Sequence, residues 1–436
     1  MPARDGLPLP VRRLERLSAR ERARLVERGA VTHGPAMAAA RAIVEDVRRR
    51  GDAALRALTR RFDRVDRPRP EVSEAEIRAA ASRTPAEVRA ALRRAAARIR
   101  RFHRAALPRD IRLTGPGAAL GRRAVPYDRV GLYVPGGTAA YPSSVLMTAI
   151  PARLAGVREV LLATPPGPSG LPPDSVLAAA EIAGVDRVFA MGGAQAVGAL
   201  AWGTRSVPAV DKIVGPGNAF VTAAKLVVQG RTAIDLPAGP SEILVLSDGT
   251  GDPRFIAADL LAQAEHSPDA SAVLVTTSPV QAEAVACAIV DRLATLPRRS
   301  IVEKSLKSCG ALLVATSLDA AIAFANEYAA EHLTLLTRQP EATLRAIRHA
   351  GSVFLGPHSP VALGDYCSGT NHVLPTAGAA RFYSGLSTAD FVRFQTWQWF
   401  TAAGLGRIAR TAIILARAEG LEAHARSLEA RLEDRP

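Results

Sequence analysis

Cysteine, lysine, histidine and aromatic residues are all scarce in this chain, and each scarcity closes off a class of protein. The three cysteines, Cys287, Cys309 and Cys367, form no Cys-x-x-Cys pair, and their odd number argues against a disulfide framework. Cys287 falls in an alanine-rich helical stretch and reads as a buried, inert thiol, whereas Cys367 sits among polar loop residues. Lysine occurs only at Lys212, Lys225, Lys304 and Lys307, so the net charge of +15 comes almost entirely from arginine. The arginines are interleaved with acids, as at Arg83, Glu87 and Arg89. No aromatic-studded basic strand, helix-turn-helix or zinc-finger spacing accompanies them, so no nucleic-acid partner is expected. A solvated basic surface that steers anionic ligands is the simpler reading. No apolar run approaches the roughly 20 residues that cross a bilayer, and the opening MPARDGLPLP has no apolar h-region. A cytoplasmic protein with no membrane partner is therefore expected.

What is present is a chain of 436 residues, 48% hydrophobic, enough for a sizeable core and more than one domain. Residues 10–105 carry apolar positions at helical spacing, broken by Pro108 and Gly115-Pro116-Gly117. From about 125 the pattern changes to short apolar runs, each closed by a glycine turn and followed by a helical stretch. Val130–Val134, Val160–Thr164, Val188–Ala190 and Ile213–Val214 form one series. Glu242–Leu246, Ala272–Thr276, Ala311–Ala315, Leu333–Leu336 and Ser352–Leu355 form a second. This is the sequence form of repeated βα units and parallel sheets, an α/β fold with two such units. The Gly356–Ser387 stretch reads as a long loop, and loops of that length usually have a task. A helical tail is expected from about Thr388, as N-cap, to Leu432, broken at Gly404 and Gly406.

Three glycine turns at strand ends are candidate nucleotide sites: Tyr133–Gly137, Gly192-Gly193-Ala194-Gln195 and Gly215-Pro216-Gly217-Asn218. Glycine lets a backbone approach a phosphate, and the helix N-terminus that follows offers free N–H groups. None is a full Gly-x-Gly-x-x-Gly, and each alone is equally an ordinary βα turn. The eight histidines are few enough to read singly. Gln263 and His266 are three apart at a helix end, facing one side together. Glu331-His332 stands at a helix-to-strand junction, where a carboxylate and an imidazole can act as base and acid or simply end a solvated helix. Asp365 and His372 lie in the long loop, and Glu419 and His424 in the tail. No two of these have metal-motif spacing, so a metal site would have to be assembled by folding.

The segments Val214-Gly-Pro-Gly-Asn218, Asp235-Leu-Pro-Ala-Gly-Pro-Ser241-Glu242, Gln263-Ala-Glu-His266, Glu331-His332-Leu333, Gly364-Asp365-Tyr366, Gly369-Thr-Asn-His-Val-Leu-Pro375 and Glu419–His424 occur in this order. Together they closely resemble the histidinol dehydrogenase family, from about residue 35 to 430. The resemblance implies two Rossmann-like α/β domains with parallel sheets plus smaller helical N- and C-terminal segments. Its implied division is 1–34 as an N-terminal helical segment, 35–125 plus 241–380 as one Rossmann-like domain, 126–240 as the NAD-binding one, and 381–436 as a helical dimerisation segment.

It further implies NAD-dependent oxidation of L-histidinol, through the aldehyde, to L-histidine, with one zinc per subunit. Gln263, His266 and Asp365 are the implied zinc ligands, and His424 is the fourth, reaching across a homodimer into the partner's site. His332 is the implied base for the alcohol and Glu331 the activator of water. Ser241, His372 and Glu419 are implied substrate contacts, as are the zinc ligands and His332. Tyr133, Gln195 and Asn218 are implied NAD contacts. Three rivals make different demands: a relative acting on another small alcohol such as a sulfonated diol, a zinc hydrolase using Glu331 without NAD, and a basic nucleic-acid-binding protein.

Overall fold

The computed structural model describes residues 9–28, 34–136 and 139–433. Among these run fifteen strands. In chain order they are β1 (Val11–Arg13), β2 (Glu71–Val72), β3 (Ile111–Gly115), β4 (Ala118–Pro126), β5 (Arg129–Tyr133), β6 (Glu159–Thr164), β7 (Arg187–Ala190) and β8 (Lys212–Val214). After them come β9 (Ala233–Ile234), β10 (Glu242–Ser247), β11 (Ser271–Thr276), β12 (Gly310–Val314), β13 (His332–Leu336), β14 (Ser352–Leu355) and β15 (Val392–Phe400).

Two six-stranded sheets carry the fold. The first has the order β2-β7-β6-β5-β8-β9 and is parallel except for β2. The second, β1-β12-β11-β10-β13-β14, is parallel throughout. Both central strands read as unbroken apolar runs because helices cover both faces. Successive side chains alternate between the two faces: along β6, Val160 and Leu162 enter one core and Leu161 and Ala163 the opposite one. Along β10, Ile243 and Val245 divide from Leu244 and Leu246 in the same way.

The helices Gly34–Arg50 and Asp52–Asp63 pack on Gly193–Trp202 and Ala219–Val228, while Glu74–Arg83 and Ala86–Ala105 pack on Asp174–Ala183 and Pro142–Ala155. Residues 34–105 therefore cover the first sheet. The sequence reading grouped them with 241–380, and the packing overturns that grouping. A helical apolar stripe says that a face is buried, not which sheet buries it. The outer pair also explains Pro142–Ala155, which is buried nearly all round: a helix pressed between a sheet and a second helix has no wet face.

The termini depart from the expected helical segments. Near the start, β1 pairs with β12 at the edge of the second sheet, before the helix Ala19–Val26. That helix is opened by a capping box between Ser18 and Glu21. Near the end, β15 is a nine-residue strand paired antiparallel with β4, which also pairs with β3. Its Trp397 lies directly across from Gly121. A Cβ there would stand 2.3 Å from the indole, so the missing side chain is what seats the ring. Gly404 lies inside the helix Ala402–Ala418 and does not break it. Its role is close approach, because a Cβ would stand 1.9 Å from the Gly117 carbonyl oxygen. The break falls at Gly420, before the helix Glu422–Glu433.

The long loop holds a short helix, Val361–Tyr366. Ser387, not Thr388, caps the turn after it, and the Thr388 hydroxyl donates to the Ala106 carbonyl at 2.9 Å. The three cysteines are unpaired, and Cys287 is exposed on its helix rather than buried. No described helix is long and apolar enough to cross a membrane.

Candidate active site

A cavity of about 1110 Å³ lies between the two sheets. Gly217 and Asn218, just past the carboxyl end of β8, line one side. Ser241, Glu242, Ser271 and Gly310, at the amino ends of β10, β11 and β12, line the other, with His266. So the first sheet offers its carboxyl edge, as open α/β sheets do, and the second offers its amino edge.

On the first sheet the glycine turns are built from within. Tyr133 is buried, and its hydroxyl accepts the Gly193 N–H at 3.0 Å. Burial pushes its phenol up to about 12. Gln195 is buried in the first turn of Gly193–Trp202 beneath the same loop. Asn218 is exposed and caps Ala219–Val228, its Oδ1 accepting from Phe220 and Val221 at 3.1 Å each. Gly215 has φ +117, and a Cβ on it would meet the Tyr133 carbonyl oxygen at 2.1 Å, so this turn requires glycine. Its N–H donates to Asp235 at 2.7 Å, and buried Lys225 pairs with Asp235 and donates to the carbonyls of Gly215 and Leu236. The N-termini of two helices thus converge on the cavity side of this sheet, a setting that suits phosphate.

On the second sheet the chain turns through Ala329, at φ 50, to bring Glu331 to the end of β13. Ile243 and His332 are register partners, which sets Glu242 across from Glu331. The two glutamates exchange bonds: Glu242 N–H donates to Glu331 Oε2 at 2.8 Å, and Glu331 N–H donates to Glu242 Oε1 at 3.2 Å. Ser241 Oγ donates to the same Glu331 oxygen at 2.6 Å. Burial drives the Glu331 carboxyl well above the usual range, with Glu242 and Asp365 adding to the rise and the Ser241 and Glu242 bonds opposing it.

His332 is also buried, and its Nδ1 stands 3.0 Å from the Glu242 carbonyl oxygen. A carbonyl only accepts, so Nδ1 carries the proton and Nε2 is left bare in the neutral ring. Nε2 has no hydrogen-bond partner among the described residues and stands 3.7 Å from Asp365 Oδ1. Burial lowers the imidazole's proton affinity against the pull of Asp365.

His372 Nδ1 stands 2.8 Å from the Asp365 carbonyl oxygen and Nε2 3.0 Å from Ser144 Oγ. The same logic puts its proton on Nδ1 and makes Ser144 the donor. Ser144 comes from the first turn of Pro142–Ala155, on the first sheet's side, and drew no notice in the sequence because serine there has no pattern. His266 opens into the cleft just past Pro253–Ala264. Its proton affinity is lowered by its enclosed setting, with Asp365 pulling the other way and His332 adding to the fall. Gln263, one turn back, is buried, and its amide nitrogen has no hydrogen-bond partner among the described residues.

The structure therefore brings Ser241, Glu331, His332, Asp365 and His372 into one linked group, with His266 coupled to it. It leaves Glu419 and His424 out. Both are exposed where Ala402–Ala418 meets Glu422–Glu433, and neither lines the cavity. Among the described residues no three His, Cys, Asp or Glu side chains stand together as a metal cage. Gln263, His266 and Asp365 carry an amide oxygen, an imidazole nitrogen and a carboxylate, donor types that zinc accepts. His33 lies outside the described residues, and His103 is buried edge-on to the Phe102 ring, with neither ring nitrogen hydrogen-bonded among the described residues.

Residues 26–432 match the family model for histidinol dehydrogenase. The chain is 47% identical to histidinol dehydrogenase of Methanosarcina mazei, with 98% of each chain covered. It is 51% identical to that of Gluconobacter oxydans, over 90% of this chain and 92% of the relative. Its fold matches the crystal structure of histidinol dehydrogenase from Elizabethkingia anophelis with a TM-score of 0.92, at 38% identity and 98% coverage of each chain.

Proposed function

The chain belongs to the histidinol dehydrogenase family, and from that premise we propose that it oxidises L-histidinol through L-histidinaldehyde to L-histidine, the last step of histidine biosynthesis, passing one hydride to each of two NAD molecules. The observation that carries the reading is the adjacent pair Glu331 and His332. They are buried together on one strand end, one a carboxyl held by two donors and the other a neutral imidazole with a bare Nε2. A sulfonated diol needs nothing of the kind that His266, Asp365 and His372 offer to an imidazole substrate, and the full-length relatives do not favour that alternative.

In the first oxidation His332 Nε2 takes the hydroxyl proton as hydride leaves the carbinol carbon for NAD. In the second, Glu331 as carboxylate takes a proton from water adding to the aldehyde, and the hydrate then gives up its hydride to the second NAD. Ser241 and the Glu242 N–H fix the Glu331 oxygen they both hold. His372, turned by Ser144 and the Asp365 carbonyl, contacts substrate. Gln263, His266 and Asp365 would hold zinc with the partner's His424, and zinc supplies a fixed anchor for the substrate's imidazole and amine. The first sheet is the NAD-binding body: Asn218 stands at the cavity wall, while Tyr133 and Gln195 act from beneath by shaping the turn.

The arm formed by β3, β4, β15 and the two last helices supports a homodimer. It leaves Leu113, Trp399, Ile414 and Leu415 more than half exposed, and clustered exposed apolar side chains of this kind mark a protein interface. Glu419 and His424 ride on that arm. Three unpaired thiols suit a reducing compartment, and we assign the enzyme to the cytoplasm.

The test is NADH counted per histidinol consumed, beside metal analysis of the same preparation. Two NADH and one zinc per chain are expected. Glu331→Gln should give one NADH and release aldehyde. A wild-type count of one, or turnover without NAD, overturns the assignment.

A further inference from the structure

The part-buried cation Arg28, on the cavity wall, has no part in the chemistry above, yet it reaches the strand end that carries it. Arg28 lies in the N-terminal segment, 214 residues from Glu242. Its Nε donates to Glu242 Oε2 and its Nη2 to Glu242 Oε1, each at 2.7 Å. Nη2 also donates to the Tyr328 carbonyl at 2.9 Å, and Nη1 to the Leu25 carbonyl at 2.9 Å. The guanidinium carbon stands over the Tyr328 ring, 3.3 Å from its centroid. A second anchor holds the same segment: Arg22 Nε donates to both Glu327 oxygens, at 3.0 and 2.9 Å. The segment is thus pinned to the last turn of Leu318–Tyr328, three residues before Glu331.

We propose that Arg28 is a positioning residue for the second oxidation, because its two-pronged grip on Glu242 sets where the Glu331 carboxylate stands. The chain of contact has two steps. Arg28 fixes both Glu242 oxygens, and Glu242 is joined to Glu331 by the reciprocal pair of backbone-to-carboxylate bonds. A fork of two parallel bonds fixes direction as well as distance. With the fork gone, Glu242 is a buried carboxylate beside another, free to rotate and repel it, and the Glu331 oxygen held by the Glu242 N–H moves with the strand end. His332 meets this network through its Nδ1, 3.0 Å from the Glu242 carbonyl and 3.4 Å from Glu331 Oε2, while the Nε2 that serves the first oxidation stands beside Asp365, so the first oxidation is the less affected. This inference rests on the reading that Glu331 serves the aldehyde step.

The experiment counts NADH per histidinol in the purified full-length enzyme for wild type, Arg28→Gln and Arg28→Lys. That ratio does not change with the fraction of enzyme that is folded, so a merely structural role leaves it at two. For Arg28→Gln the expected ratio falls toward one, with aldehyde trapped in the medium, and kcat on added histidinaldehyde falls at least tenfold while KM for histidinol stays within about twofold. Arg28→Lys keeps a cation without the fork and serves if the glutamine variant does not fold; its expected ratio lies between one and two. A ratio of two in whichever variant folds overturns the inference. A wild-type ratio of one would instead overturn the functional reading beneath it.

Discussion

A carboxylate buried without a partner works against its own fold once it is charged, and Asp63 is such a group. It ends the helix Asp52–Asp63 half-buried, its Oδ2 has no hydrogen-bond partner among the described residues, and burial raises it from 3.8 to about 6. A group raised in the folded state favours folding below its unfolded value, and that contribution is lost as pH climbs through the folded one. Asp63→Asn cannot charge, so it should be more stable than wild type at pH 8. The advantage should shrink steadily toward pH 5. A two-unit shift is worth about 3 kcal/mol at most, and partial solvent contact cuts this to about 1–2 kcal/mol, or roughly 1–2 °C in Tm for a chain of this length. Thermal unfolding across pH 5–8 measures it, and a difference that does not change with pH refutes it. A limit of the same kind holds in the sequence for the pair proposed as catalytic. Glu331 and His332 were visible as an adjacent pair, but nothing local separated a buried pair from a wet helix end. Ser144 was invisible because its partner His372 is 228 residues away.

Elements are positioned by their turns, and the β8 turn shows how much rests on one buried ion pair. Lys225 and Asp235 are both almost fully buried, and between them they hold both the N–H and the carbonyl of Gly215. Lys225→Met leaves Asp235 charged and alone, which should cost about 3–5 kcal/mol. It should also loosen the loop that carries Asn218, raising KM for NAD more than KM for histidinol. Pairing it with Asp235→Leu removes the stranded charge and should restore most of the stability but not the NAD affinity. Equal changes in both KM values would show that the turn does not serve the nucleotide. Parallel strands and glycine turns were legible because fully buried strands write themselves as unbroken apolar runs between breakers. The β3–β4 hairpin and β15 were not. Most of β15 is exposed, so no buried face marked it, and its aromatic residues were read into the helical tail.

At the scale of the molecule the two sheets meet carboxyl edge to amino edge across one cavity, so in the proposed function the nucleotide side and the acid–base group come from different sheets. One chain supplies all of that group except what its arm carries. The arm packs on itself through β15 and β4 and holds Glu419 and His424 away from its own cavity, with apolar side chains bared along it. If two copies exchange arms, each site is composite, and that yields a prediction no single-chain arrangement shares. His424→Ala and His332→Ala should each be inactive alone. Mixed, dissociated and reassociated, half the dimers become hybrids. In a hybrid one site collects both lesions, while the other pairs an intact His332 with an intact arm. Random pairing then restores roughly a quarter of wild-type activity. Two lesions within one chain, mixed with an unaltered chain, should give the same hybrids a different pattern, one defect falling in each site and the hybrid showing no turnover. Activity that stays absent after reassociation of the single variants, with dimers confirmed by light scattering, would mean that each chain closes its own site.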